Sequence, residues 1–270
     1  MRNPLLPPRP TESHKAMFGR IGLLGGAPGT VGALLLAGRS ALNCGAGLVT
    51  LGMVDESVRV DFAAPELMFA PPESLITDLD LSVLAIGPGL GQSRQAFDLM
   101  QVALLHPAPL VIDADGLNVV SRRADLAYIC AHRSSPTLLT PHPGEAGRLL
   151  QVKTREIQEN RELAAGELAR RFNALVALKG AGTVLARPDG ENEINRTGNP
   201  ALSAPGMGDV LTGMMAAFAA RVPPWDALRL AVWLHGQAAD DALEEGCGVE
   251  GLTASELIRY ARRRLNACSA

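Results

Sequence analysis

"RIGLLGGAPGTVGALLLAGRSALNCGAGLVTLGMV", residues 20–54, decides the fold. A short apolar run, Arg20–Leu24, ends in a glycine-rich turn. A helical stretch, Thr30–Cys44, follows, and a second apolar run, Gly47–Val54, closes the unit. Neither run alternates strictly with polar residues, which suits strands covered on both faces. Strand, helix and strand in this order form one unit of a parallel sheet.

The rhythm continues outward from this unit. Further strand-like runs occur at Val83–Ile86, Leu110–Ile112, Thr137–Thr140 and Leu175–Leu178. Helical patterns lie at Gln92–Leu105, Gly144–Leu150 and Thr154–Phe172, the last with a charged outer face. The expected fold is therefore α/β: a doubly wound, mostly parallel sheet with helices on both faces. After Lys179 the pattern changes. "TVLARPDGENEINRTGN" (183–199) reads as two strands turning at Asp189-Gly190, a small antiparallel hairpin at the sheet edge. Helices are expected at Asp209–Ala220, Pro224–Glu245 and Thr253–Leu265. No repeat or linker divides the chain, so 14–270 reads as a single domain. The proline-rich "MRNPLLPPRPTESHK" lacks the apolar run of a signal peptide, and 1–13 reads as a flexible or docking arm.

Composition excludes several function classes. Of 270 residues, 47% are hydrophobic and 20% charged, which describes a folded protein. A net charge of −3 and 4% aromatic residues provide neither a basic footprint nor a base-stacking platform, so no nucleic acid and no membrane partner is expected. Cys44, Cys130, Cys247 and Cys268 form no C-x-x-C pair, and the five histidines show no ligand spacing. A reducing, cytoplasmic setting is the simplest expectation.

Glycine clusters recur at the predicted carboxyl ends of strands, the rim where open α/β sheets bind ligands. "GGAPGTVGA" (25–33), "GPGLG" (87–91), "DADGLN" (113–118), "PHPGE" (141–145) and "KGAGT" (179–183) each follow a strand. Such loops bring backbone N–H groups close to an anion. Singly each is weak. None is a G-x-G-x-x-G dinucleotide fingerprint or a P-loop. Five on one rim are hard to attribute to turns alone.

"APGMGDVLTG" (204–213) places Gly206 and Gly208 around a methionine, then Asp209, then an apolar helical stripe. The N–H groups of Met207, Gly208 and Asp209 should be unpaired donors at the positive end of the helix, able to hold a migrating phosphoryl group. The same dipole should keep Asp209 ionised, ready to take a proton from an attacking hydroxyl. As a plain cap Asp209 would contribute about 1 kcal/mol, which leaves the flanking glycines unexplained. Plainer alternatives stand beside the other candidates: His142 as a packed loop residue, Asp113 and Asp115 as turn organisers, and Lys179 as a snorkelling surface lysine.

Gly-x-Gly-Asp at a helix start on a glycine-rimmed sheet resembles the ribokinase-like superfamily. More narrowly, "HKAMFGRIGLLGGAPGTVGA", "GAGLVTLG", "PELM", "AIGPGLG", "VIDADGLN", "LTPHPGEAGRLL", "LKGAGTVLA" and "GMGDVLTG" occur in this order. Together they resemble the ADP-dependent NAD(P)H-hydrate dehydratase family over residues 14–265. The chain departs from the usual pattern at Ala16-Met17 and in "NPALSAPGMGD". The resemblance implies a metabolite-repair lyase. Hydrated NADH or NADPH, in the S form, is phosphorylated on the ring hydroxyl by ADP and then loses phosphate, leaving AMP. It implies Asp209 as base, with Gly206 and Gly208 in the anion hole. Ala33, Gly91, His142 and Asp209 would contact the hydrated cofactor. Lys179, Gly180, Ala181, Gly182, Thr183 and Gly208 would contact the adenine nucleotide. Mg²⁺ is the implied ion, with Glu145 holding it through water. A homo-oligomer, possibly a tetramer, is also implied, with a separate epimerase acting on the same metabolite. The competing readings are a ribokinase-like kinase for a hydroxymethylpyrimidine, thiazole or sugar, and a catalytically silent adenine-nucleotide sensor.

Overall fold

Successive residues of the central strands feed two different helix layers, and both layers are dry. In the computed structural model, which describes residues 6, 7, 9–77 and 80–269, Val83 and Ala85 belong to one apolar cluster and Leu84 and Ile86 to the other. This explains the missing polar alternation: neither face of the central strands meets water.

The chain begins with a 3₁₀ turn, Lys15–Phe18, then β1 (Arg20–Gly25), α1 (Val31–Asn43), β2 (Leu48–Met53), β3 (Met68–Ala70) and α2 (Pro72–Ile76). It continues through β4 (Val83–Ile86), α3 (Arg94–Leu105), β5 (Leu110–Ile112), α4 (Ala114–Arg122), α5 (Ala124–Ala131), β6 (Thr137–Leu139) and α6 (Pro143–Leu150). Then come α7 (Thr154–Glu159), α8 (Arg161–Phe172), β7 (Leu175–Leu178), β8 (Thr183–Ala186) and β9 (Asn192–Asn195). A 3₁₀ turn at Pro200–Ser203 precedes α9 (Met207–Ala219), α10 (Pro224–Glu244) and α11 (Ala254–Ser269).

The strands form one sheet in the order β3-β2-β1-β4-β5-β6-β7-β8-β9. Pairing is parallel from β3 to β7, while β8 and β9 run antiparallel, with Thr183 opposite Asn195. The expected doubly wound sheet and edge hairpin are both present. Helices α1, α9, α10 and α11 cover one face, and α3, α4, α5, α6 and α8 the other. Helix α9 is buried over almost its whole circumference, and the Ser40 hydroxyl of α1 donates to the Val210 carbonyl at 2.7 Å. Strand order reverses between β1 and β4, so the crevice beyond their carboxyl ends is the switch point of the sheet.

Several elements differ from the sequence expectation. The helix expected over Thr154–Phe172 breaks at Asn160 (φ −142°, ψ 59°), which separates α7 from α8 and frees α8 to bury Ala165, Leu168 and Ala169. "DADGLN" is not only a turn: Asp113 precedes a nine-residue helix, and α5 follows it directly. Strand β3, three residues long, was not expected either. Residues 1–5 and 8 of the expected arm lie outside the described residues; within it, Arg9 stacks on Phe18 and donates to the Gly45 carbonyl at 2.6 Å. No described helix is long and apolar enough to cross a membrane.

Ile86 lies opposite Leu24 on one side and Ile112 on the other, all fully buried in the same cluster. Ile86→Ala should cost about 2–5 kcal/mol in urea denaturation, while the exposed Leu163→Ala stays within about 0.5 kcal/mol.

Candidate functional site

At the switch point two glycine loops are laced together. The Thr30 hydroxyl lies 3.0 Å from both the Ala27 and the Gly89 carbonyls, and the Ala27 N–H donates to Gly89 at 2.6 Å. Ala33 lies in the first turn of α1, three residues after Thr30. The Gly91 N–H in turn donates to the Asp115 carboxylate of α4 at 2.9 Å. Asp115 thus organises more than its own turn: it fixes a neighbouring loop.

The loop after β4 must also pass close to Asp113. A Cβ at Gly87 (φ +134°) would lie 1.8 Å from the Asp113 carbonyl oxygen, so no side chain fits there. Asp113 sits at the N-cap position of α4 yet makes no side-chain cap. Its carboxylate turns instead toward α9 and β7. It accepts from Lys179 Nζ at 2.7 Å and from the Thr212 hydroxyl at 2.8 Å, and it is only 2% exposed. Burial works against the Asp113 charge, but Lys179, with the Thr140 and Thr212 hydroxyls, holds its pKa below the usual carboxylate range. Burial likewise opposes the Lys179 ammonium, and the Asp113 and Glu145 carboxylates outweigh it and raise its pKa. Lys179 is therefore a charged, enclosed group and not a surface lysine.

Helix α9 opens directly onto this pair. Gly206 takes the left-handed conformation (φ 84°), and the first backbone bond of the helix runs from Val210 N–H to the Gly206 carbonyl at 3.0 Å. The amides of Met207, Gly208 and Asp209 bond to no described residue, as the sequence implied. A Cβ at Gly208 would lie 3.3 Å from Lys179 Nζ, so this residue's surface meets the ammonium group. Behind the mouth, burial pushes the His235 pKa down to about 4; the neutral ring donates from Nε2 to the Met207 carbonyl at 2.9 Å. That bond anchors the first residue of α9 to α10.

The Asp209 carboxylate is half-buried, and no described residue hydrogen-bonds or ion-pairs with it. Its ionisation departs from the sequence expectation. Burial, then the Asp113 charge, raise its pKa to about 7 against the pull of Lys179, with Asp115 adding to the rise. The helix dipole does not dominate. The result is a carboxylate that changes charge near neutral pH.

Lys179, Gly180, Ala181, Gly182, Thr183 and Gly208 do come together, lining one cavity of about 380 Å³. The volume falls in the range of small-ligand sites. The other walls were not read from the sequence. Asn195 and Thr197 follow from β9, Leu202 from the 3₁₀ turn, Leu211 from α9, and Val232 and His235 from α10. The polar "NRTGN" after β9 was the one available signal for any of them. From outside the cavity, Arg161 braces its lysine loop, donating to the Ala181 carbonyl at 2.6 Å and the Leu178 carbonyl at 3.0 Å, while its Nε is buried with no hydrogen-bond partner among the described residues. A larger opening of about 520 Å³, between residues 200–205 and 249–254, is lined by one carboxylate, Glu250, and no cation that would attract phosphate.

His142 and Glu145 form a capping box on α6. His142 Nδ1 accepts from the Gly144 and Glu145 amides, and the Glu145 carboxylate accepts from the His142 N–H at 2.8 Å. The second Glu145 oxygen lies 3.2 Å from His142 Nε2. The imidazole remains 49% exposed on the rim while the glutamate is enclosed. Among the described residues no group of three or more His, Cys, Asp or Glu is placed to hold a metal ion.

A doubly wound, mostly parallel sheet covered by helices on both faces, with an antiparallel edge hairpin, is the ribokinase-like fold. Over residues 21–263 the chain matches the NAD(P)H-hydrate dehydratase family, and it belongs to that family. An ADP-dependent (S)-NAD(P)H-hydrate dehydratase from Neisseria meningitidis serogroup B is 36% identical, covering 94% of this chain and 87% of that protein. A bifunctional NAD(P)H-hydrate repair enzyme from Moorella thermoacetica is 38% identical over 94% of this chain. The chain spans about half the length of such bifunctional relatives, 51% in that case. Among solved structures, an ADP/ATP-dependent NAD(P)H-hydrate dehydratase from Bacillus subtilis, co-crystallised with ATP/Mg²⁺, superposes with a TM-score of 0.87 at 33% identity, covering 97% of this chain and 95% of that one.

The left-handed Gly206 is the joint on which the mouth depends. A Cβ there would lie 2.6 Å from Leu36 Cδ1 and 3.1 Å from Ala254 Cβ. Gly206→Ala should destabilise the fold by about 1–2 kcal/mol, from the left-handed backbone alone, measured as a lowered urea midpoint.

Proposed function

We propose that this chain dehydrates the S form of hydrated NADH and NADPH at the expense of ADP, releasing AMP and phosphate. One observation carries the reading. Asp209, a carboxylate with no partner among the described residues, stands beside three α9 amides equally unpaired and follows Gly208, which lines one cavity with Lys179–Thr183.

The chemistry follows from that arrangement. The adenine nucleotide occupies the cavity with its terminal phosphate at the amides of Gly206 to Asp209 and near Lys179. The hydrated nicotinamide enters from the switch-point side, past Ala33, Gly91 and His142. Asp209 takes the proton of the ring hydroxyl as that oxygen attacks the terminal phosphorus. The new O–P bond forms while the bond to the AMP oxygen breaks. The unpaired amides meet negative charge as it shifts onto the transferring oxygens. The ring nitrogen's lone pair then expels phosphate, and loss of a proton from the adjacent ring carbon restores the reduced nicotinamide. A base with a pKa of about 7 is half ionised at neutral pH and strong enough to accept the proton.

The residues present fit a magnesium ion carried by the nucleotide phosphates and water, not a protein cage. Both Glu145 oxygens are engaged in the α6 cap, and Asp113 is committed to Lys179 and Thr212. Glu145 would reach the ion through water, as Mg²⁺ usually permits. When bound, the ion would neutralise phosphate charge.

Purified protein given ADP, Mg²⁺ and hydrated NADH should regenerate absorbance in the reduced-nicotinamide band. Asp209→Asn should reduce turnover roughly 10²–10⁴-fold and keep nucleotide binding. Phosphorylation of a vitamin precursor or sugar without that recovery would overturn the proposal in favour of a kinase. Equal, near-zero turnover in both proteins would favour a sensor.

Arg161 bears on the nucleotide alone. Arg161→Ala removes two charge-assisted bonds from the lysine loop, each worth about 1.5–3 kcal/mol. The expected result is a KM for ADP raised about tenfold or more with kcat changed less, measured in steady-state kinetics.

A further inference from the structure

Asp113 has no part in the steps above, yet the fold invests heavily in it. It is buried, its position depends on a glycine at 87, and the next residue, Ala114, is held in the left-handed region (φ 48°). A non-glycine residue with such a backbone costs free energy and persists only where its surroundings dictate it. At the N-cap position an aspartate ordinarily bonds the amides of its own helix. Here the carboxylate leaves them and takes the Lys179 ammonium and the Thr212 hydroxyl instead.

The consequence concerns where Lys179 points. Its Nζ lies among three carboxylates whose charges all act on it: Asp113 from the start of α4, Glu145 from α6, and Asp209 from α9. Asp209 is faced in turn by Asp113, Asp115 and Lys179, and His235 of α10 is neutral near pH 7. Among the described residues Asp209 makes no ion pair, although a flexible ammonium group stands within its field, and only Asp113 is bonded to that ammonium.

We propose that Asp113 is a positioning residue: by bonding Lys179 it holds the ammonium group at the Gly208 edge of the helix mouth and off the Asp209 carboxylate. The cation then faces the incoming phosphate, and the base is left free to accept a proton. Released, the four-carbon stem of Lys179 would let it close on Asp209, quenching the base and emptying the phosphate side of its charge. The inference rests on the proposed reaction for its meaning, but its test does not need turnover.

The test is a double-mutant cycle read by carboxylate ¹³C NMR titration of Asp209 in the protein without substrates. Asp113→Asn should lower the Asp209 midpoint, because a repelling charge is lost and the released lysine approaches. Lys179→Gln should raise it. In the Lys179→Gln background, Asp113→Asn removes only the direct repulsion, so its downward shift should be smaller by about one unit, the order of one close charge pair. Equal shifts in the two backgrounds would overturn the tether. Asp113→Ser, smaller and equally uncharged, serves the same cycle if Asp113→Asn does not fold. In turnover, Asp113→Asn should move the acid limb of kcat to lower pH and reduce its plateau about tenfold or more, with the KM for ADP raised as the ammonium group leaves the phosphate side. A kcat loss with an unmoved limb would mark Asp113 as merely structural. Absent turnover in the wild type, together with unequal NMR shifts, would overturn the reaction and leave the tether standing.

Discussion

The buried pair between Asp113 and Lys179 is the constraint to which the rest of the site conforms. It joins the loop after β5 to the end of β7, and through the Thr212 hydroxyl it clamps the first turns of α9 to both. Removing two charges from water costs several kcal/mol per ion unless geometry and further hydrogen bonds compensate. Here they do: the Thr212 hydroxyl bonds the Asp113 carboxylate, the Thr140 hydroxyl also favours its charge, and Asp113 and Glu145 together favour the lysine's charge. The pair sits against the Gly208 surface of α9, so its position and the position of the open amides are one structural fact.

That junction accounts for the opposing charges around the mouth. Helix N-terminal amides and an ammonium group make one side positive. Asp209, with Asp115 nearby, makes the other side acidic, and the charge of the paired Asp113 adds to its repulsion. The lysine is already committed to Asp113, so it leaves Asp209 without an ion pair among the described residues. In the proposed reaction an anion arriving as phosphate would meet the positive side, and a hydroxyl arriving from the switch point would meet Asp209. The loops of Thr30, Ala27 and Gly89 are laced to each other at the same switch point.

The architecture was legible wherever burial was symmetrical. Continuous Val, Ile and Leu runs such as Val83–Ile86 can only be strands covered on both faces, and they are. The free amides of α9 were legible too, since the apolar stripe after Asp209 fixes where the helix must begin. Short elements were not: α4, α5 and β3 carry too few residues for a period to stand out from flanking glycines and charges. The break at Asn160 was hidden because its flanks read as one continuous helix. Side-chain commitments were beyond reach altogether. Nothing in "DADGLN" distinguishes Asp113, which abandons its own helix for a lysine 66 residues away, from Asp115, which braces the Gly91 loop. His142 and Glu145 could be located, but their reciprocal cap depends on a local geometry the letters do not display.

The one electrostatic expectation that changed is the most informative. A carboxylate at a helix N-terminus should be held ionised by the dipole, yet Asp209 is raised to about 7. Dipole stabilisation is worth about 0.3–1 kcal/mol at an exposed helix end. Burial and the neighbouring Asp113 carboxylate raise the Asp209 pKa further than that contribution and the Lys179 charge together lower it. The same comparison bears on why the lysine is not simply placed against Asp209. A direct ion pair would return the carboxylate to its ordinary range, where it accepts a proton from a hydroxyl far less readily. Separation of the cation from the base by means of a third, deeper carboxylate leaves the site with both an electrophilic and a basic half. In a mouth only a few residues wide, that separation has to be built into the fold, and the left-handed Ala114 beside Asp113 is the backbone strain that goes with it.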